Sequence, residues 1–101
     1  MSVELILQNE IQDAKRWLDK TDGVYKRDLI MRIEMVHWAL QYIKNPNVCE
    51  IIGDKINETI NKINKTDSIF EADPLDSELR ILDWIFYQVC KDQQNILINN
   101  Q

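Results

Sequence analysis

His37 is the only histidine in the sequence, and its chemistry is the best suited to proton transfer or metal binding. Glu34 precedes it by three positions, which turn an α-helix by about 300° and leave the two side chains roughly 60° apart on one face. This Glu-x-x-His spacing is that of the ligand pairs in di-iron carboxylate bundles, which combine two such pairs with further carboxylates. One chain holds one pair, so a metal site would require a symmetric dimer, with Glu10 or Glu78 as additional donors. We therefore expect neither a metal nor a cofactor.

A second pattern has the form R-x4-H and joins Arg32 to His37. It resembles the short motif of the HEPN superfamily, helical domains that include metal-independent ribonucleases working as dimers. The resemblance implies that Arg32 contacts the scissile phosphate and that His37 acts as acid and base, in an active enzyme or an inactive relative. Ile33 stands where the family usually has a polar residue, and five positions direct two side chains of a straight helix about 140° apart. The alternative is a His37 on the solvated face of its helix, and we expect no enzyme.

Two sets of side chains recur at helical spacing and lie away from the apolar stripes that would form a core. One combines aromatic with basic residues, and the other combines aromatic residues with methionines. The first set consists of Arg80, Trp84, Tyr87 and Lys91. The second set consists of Met31, Met35, Trp38 and Tyr42. Trp, Tyr and Arg are enriched at binding hot spots, and Met adapts to varied partners. The alternatives are the rim of the chain's own core for the first set and a central helix packed on two sides for the second. We expect at least one set to contact another chain.

A possible anion site lies at the start of the second helix, where Tyr25, Lys26 and Arg27 are consecutive. At a junction between subunits these side chains would suit a small anionic ligand. The alternative is a solvated first helical turn.

The sequence divides into four segments with a period near 3.6 residues, and it holds only two glycines and two prolines. We predict helices at about 3–20, 24–44, 48–65 and 74–93, followed by a polar C-terminal tail at 94–101. The short connections favour an antiparallel four-helix bundle of a single domain. The alternative fold is a three-helix core with a detached or swapped N-terminal helix.

Several residues suggest where these helices begin and end. Ser2 is suited to cap the first helix, and Gly23 to stop it. Asn47 and Glu50 have the spacing of a capping box at the start of the third. Pro74 suits the first position of the fourth.

The apolar positions indicate which helix faces form the core. The first helix has the stripe Leu7, Ile11, Ala14 and Leu18. The fourth has the stripe Leu75, Leu79, Leu82, Phe86 and Val89. Ile69 and Phe70 are expected to hold the preceding loop against the core.

Charge and cysteine content limit the partners and the compartment. The net charge of −5 disfavours binding along a nucleic-acid backbone. Cys49 and Cys90 lack C-x-x-C spacing and lie among apolar residues, which predicts reduced thiols in the core. There is neither a signal-like N-terminus nor an apolar run near the ~20 residues of a membrane span, so we expect a cytoplasmic protein without membrane association.

The function most consistent with these features is that of a small acidic protein–protein interaction module. It would be a homo-oligomer, or a stoichiometric inhibitor, immunity or adaptor protein. The Ile- and Asn-rich composition is compatible with a phage or mobile-element origin. The alternatives are the HEPN-like ribonuclease and an oligomeric binder of a small anionic ligand.

Overall fold

The chain folds into four α-helices. The computed structural model describes residues 2–99, and the surroundings of the side chains for residues 2–91. The helices are α1 (Val3–Leu18), α2 (Gly23–Leu40), α3 (Val48–Lys65) and α4 (Ile69–Asn99). Within the described residues there is no strand, which confirms the predicted all-α class. No helix in this part of the chain is both long and apolar enough to cross a bilayer.

The helices pack as two hairpins, α1 with α2 and α3 with α4, and α4 joins the hairpins by packing on α2 and more lightly on α1. Every helix contributes to the central core, which consists of Leu7, Ile11, Val36, Ala39, Ile52, Ile81 and Ile85. Because Leu7 and Ile11 are buried there, α1 is an integral part of the bundle. This arrangement supports the four-helix prediction over the alternative with a detached first helix.

Helix α1 begins as predicted, since the Oγ of Ser2 accepts a hydrogen bond from the amide of Leu5 at 3.2 Å. It ends at Leu18, before the predicted boundary. Gly23 is the first residue of α2 instead of the stop of α1. Its φ of +67° lies in the left-handed region that glycine adopts without a steric penalty, which allows the chain to reverse direction there.

Helix α3 has the predicted bounds, but the predicted capping box is wrong. The side chain of Asn47 makes no capping hydrogen bond. Instead the Oδ1 of Asn45 accepts a hydrogen bond from the amide of Asn47 at 2.8 Å, which forms a local turn ahead of the helix. Thr59 is buried in the middle of α3, and its hydroxyl is satisfied because it donates to the carbonyl of Lys55 at 3.0 Å.

Helix α4 begins at Ile69, so Pro74 lies inside the helix and does not start it. The earlier turn is held by a backbone hydrogen bond from the amide of Ala72 to the carbonyl of Ser68 at 2.9 Å. Consequently Ile69 and Phe70 belong to the first turn of α4, where they are 85% and 92% exposed, and the prediction that they pack on the core is wrong.

The later part of α4 also differs from the sequence prediction. The helix continues to Asn99, through most of the predicted polar tail, and residues 100 and 101 lie outside the described residues. Its fully buried face consists of Ile81, Leu82, Ile85 and Cys90. This face shares only Leu82 with the predicted leucine stripe, and α4 packs against all three other helices.

A disulfide joins Cys49, in the first turn of α3, to Cys90 of α4 across a Cα–Cα distance of 5.9 Å. The prediction of two reduced thiols is therefore wrong. The antiparallel packing of α3 and α4 brings together two cysteines that are 41 positions apart in the sequence. Disulfides are typical of oxidising compartments, so the bond removes one argument for a cytoplasmic location.

Candidate interaction surface

The predicted α4 stripe does not form one continuous exposed surface. Trp84 is half-buried and packs against the core. Arg80, Tyr87 and Lys91 are exposed, and the Nε of Arg80 pairs with Asp76 Oδ2 one turn earlier at 3.1 Å. What remains available on this face is a single aromatic side chain between two cations.

The predicted α2 stripe lies largely within the chain's own packing. Met31, Met35 and Trp38 are half-buried against the core. The ring of Tyr42 lies 5.4 Å from that of Trp38, centroid to centroid. The Nζ of Lys55 in α3 lies 5.9 Å from the Trp38 ring centroid, a cation–π contact. These contacts favour the alternative of a central helix packed on two sides.

Four exposed large apolar side chains lie instead in the first turns of α2 and α4. They are Val24 and Tyr25, exposed by 55% and 76%, together with Ile69 and Phe70. We call these four residues the apolar end. Sequence spacing did not predict this surface, because it assigned Tyr25 to an anion site and Ile69 and Phe70 to the core.

An ion pair holds the two parts of the apolar end at the same end of the bundle. The Nη2 of Arg27, in α2, lies 3.0 Å from the Oδ2 of Asp73, in α4. Val24 lies three positions before Arg27, and Phe70 three positions before Asp73, so each shares a helix face with its charged residue. Val24 and Phe70 therefore lie about one helical turn beyond the ion pair, where both are exposed to solvent.

Arg27 is engaged by carboxylates and is a poor ligand for an anion. Its guanidinium donates two hydrogen bonds to Oδ1 of Asp28, at 3.0 and 3.2 Å, and one to Asp73. The hydrogen bonds to Asp28 and then to Asp73 raise the pKa of Arg27 above its ordinary value. Tyr25 and Lys26 are exposed beside it. The predicted anion site therefore has its strongest cation already paired.

A groove of about 300 Å³ lies beside the apolar end, between the end of α3 and the start of α4. Leu75 is its apolar lining residue, and Lys62 and Lys65 of α3 line it together with Glu71 of α4. The hydroxyl of Thr66 donates to Glu71 Oε2 at 2.8 Å, which fixes the corner between the two helices. The groove thus carries charges of both signs next to Phe70.

His37 and Arg32 do not line a common site within one chain. His37 is exposed and lines a groove between α1 and α2, together with polar side chains of α1. Arg32 is absent from that groove, and its Nη1 pairs with Glu10 Oε1 at 2.7 Å. The ribonuclease hypothesis stays a prediction that would need residues of a second chain.

The carboxylates of the metal hypothesis have different surroundings. Glu34 is exposed on α2, Glu10 is held by Arg32, and Glu78 lies half-buried on α4. Among the described residues, no three His, Cys, Asp or Glu side chains are close enough together to hold a metal ion.

The chain matches no protein-family model, and comparison with curated proteins and with solved structures finds no significant similarity.

Proposed function

We propose that this protein is a helical protein–protein interaction module that acts as a homodimer joined through the apolar end. The observation that carries the proposal is the exposure of Ile69 and Phe70, by 85% and 92%, at the same end of the bundle as the exposed Val24 and Tyr25. Exposed apolar surface gathered in this way on a small chain is typical of a binding site.

The size of the apolar end supports a stable contact. Aromatic side chains cover about 150–250 Å² each, so Tyr25 and Phe70 together offer about 300 Å² at the exposures given above. Val24 and Ile69 bring the total to the upper part of the range of about 300–600 Å² for the largest patch on a typical monomer. Two such patches buried together approach the about 1,200 Å² at which specific interfaces begin.

Charge complementarity favours a second copy of this chain as the partner. A two-fold interface pairs each surface patch with itself, so the patch must carry both members of every charge pair. The groove beside Phe70 meets this condition, because it has Lys62 and Lys65 on one wall and Glu71 on the other. Lys62 already pairs with Glu58 Oε1 at 3.3 Å. A two-fold axis near this corner would therefore set Lys65 of each subunit opposite Glu71 of the other.

The same groove offers a place for an aromatic side chain. Glu71, the residue after Phe70, lines it together with Leu75 and two lysines. In the proposed dimer, the Phe70 ring of each subunit covers the groove of the other, where Lys65 can approach the ring face. A dimer presents every remaining surface twice, which suits an adaptor or a stoichiometric inhibitor of another protein.

The proposal is tested by measuring the mass in solution of the wild type and of Phe70→Asp. Fully burying a phenylalanine side chain contributes about 1.5–3 kcal/mol, and two copies contribute about 3–6 kcal/mol, so the substitution should weaken dimerisation by about 10²- to 10⁴-fold. Sedimentation equilibrium should give twice the 12.0-kDa chain mass for the wild type and the chain mass for the variant.

Tyr87→Asp is the matched control, because Tyr87 is a partly exposed aromatic residue elsewhere on α4. This variant should remain dimeric, and circular dichroism should show unchanged helix content in both variants. A monomeric wild type at high micromolar concentration would contradict the proposal, as would a Phe70→Asp dimer as tight as the wild type.

A further inference from the structure

A groove with a volume of about 410 Å³ lies between α1 and α2. We infer that it binds a small organic oxyanion, a carboxylate or phosphate ester that carries an apolar ring or chain. The groove involves His37 and Leu40 near the end of α2, roughly 20 Å along that helix from Val24 and Tyr25. The inference is therefore independent of the proposed dimer.

The charge of the lining is the first argument for an anionic ligand. The chain has 17 acidic residues and only 12 Lys and Arg, yet none of the acidic residues lines this groove. Lys15 does, and within the described residues its ammonium group has no carboxylate partner. An unpaired ammonium in a groove without acids attracts an oxyanion.

Two acidic residues of α1 near the groove pair with arginines. Glu10 Oε1 lies 2.7 Å from Arg32 Nη1, and Asp13 Oδ1 lies 3.6 Å from Arg16 Nη1. These pairs reduce the opposition of the two carboxylates to the field of Lys15.

The remaining polar side chains provide hydrogen-bond donors. Gln8, Asn9 and Gln12 line the groove, and each amide offers two N–H donors to a carboxylate or phosphate oxygen. His37 adds an imidazole from α2. Amides and imidazole can also accept hydrogen bonds, so they tolerate polar substituents on the ligand.

The size and apolar lining of the groove exclude a bare ion as the best ligand. Ile11, which is 3% exposed, and the half-buried Leu40 are its apolar residues. The volume lies within the range of about 300–1,000 Å³ found for small-molecule sites. A ligand with an aromatic ring against Ile11 and Leu40 and an oxyanion near Lys15 would contact both the apolar and the basic residues of the lining.

The test is a titration of the isotope-labelled full chain, followed by amide chemical shifts. The probes are phenyl phosphate, benzoate, inorganic phosphate and neutral benzyl alcohol. Phenyl phosphate or benzoate should give saturable shifts at residues 8–15 and 37–40, and inorganic phosphate should bind more weakly. A response to phenyl phosphate alone identifies a phosphate ester as the ligand class, and a response to benzoate alone identifies a carboxylate.

Charge reversal checks the role of Lys15, which is exposed and not part of the core. Lys15→Glu should weaken binding by at least about fivefold, and Lys91→Glu, the same change on α4, should leave it unaltered. The inference is overturned if no anion gives saturable shifts, if benzyl alcohol binds as well as the anions, or if Lys15→Glu binds like the wild type. Phe70→Asp should bind the anion normally, which separates this result from that for the dimer.

Discussion

The disulfide between Cys49 and Cys90 makes a quantitative prediction about stability. The bond closes a loop with a sequence separation of 41 residues. For a loop of this length, the chain-entropy relation gives a stabilisation of about 4 kcal/mol, because the cross-link restricts the unfolded chain. Reducing the bond should therefore remove about 4 kcal/mol from the free energy of unfolding, a large share of the about 5–15 kcal/mol that holds a typical domain together.

The assay compares urea unfolding of the wild type with and without a phosphine reductant, with the free energy taken by linear extrapolation. In thermal unfolding, the same loss should lower the melting temperature by roughly 15–30 °C for a domain of this size. The variant Cys49→Ala/Cys90→Ala serves as the control, since its unfolding should not respond to the reductant.

Two results would refute this reasoning. The first is two reactive thiols per chain in unreduced, denatured protein, which would mean that the bond does not form in solution. The second is complete reduction, verified by thiol labelling, with a change in unfolding free energy below about 1 kcal/mol, which the loop-closure argument does not allow.

The remaining predictions concern single residues. Gly23→Ala should destabilise the protein by about 1–2 kcal/mol. Gly23 has a φ of +67°, and a residue with a Cβ is strained by about that amount in this left-handed conformation. Gly53→Ala is its matched control in the interior of α3, where nothing crowds an added Cβ, and it should stabilise by about 0.5–1 kcal/mol; two variants with the same sign in urea unfolding would refute the backbone argument. For His37→Ala we expect an RNA-cleavage assay to match the wild type, and cleavage lost only in the variant would revive the ribonuclease hypothesis.

Local sequence patterns predicted the features that depend on one helix at a time. The all-α class, the bounds of α3 and the buried side chains of Leu7, Ile11 and Ala14 all follow from apolar periodicity, and they agree with the structure. The serine cap of α1 is equally local, since it needs only Ser2 and the first helical turn.

Features that depend on how the helices pack were not predictable in this way. The disulfide requires the start of α3 to lie beside the later half of α4, a relation that sequence spacing does not express. The start of α4 was predicted wrongly because proline is common at the first position of a helix, which suggested that the helix begins at Pro74. The helix in fact has a turn that precedes Pro74. The apolar end depended on that same boundary, since Ile69 and Phe70 are exposed in the helical turn that precedes Pro74.

The Cys49–Cys90 bond also determines how the chain responds to tension. A force applied to its two ends is transmitted through the sulfur–sulfur bond, so the segment between the cysteines carries no load even after α3 and α4 unravel. With a sequence separation of 41 residues at about 3.4 Å each, the bond excludes about 140 Å of contour length from the extension of the pulled chain. A machine that threads the protein through a narrow pore would therefore meet a closed covalent loop, and passage as a single extended strand would have to wait for a reductant.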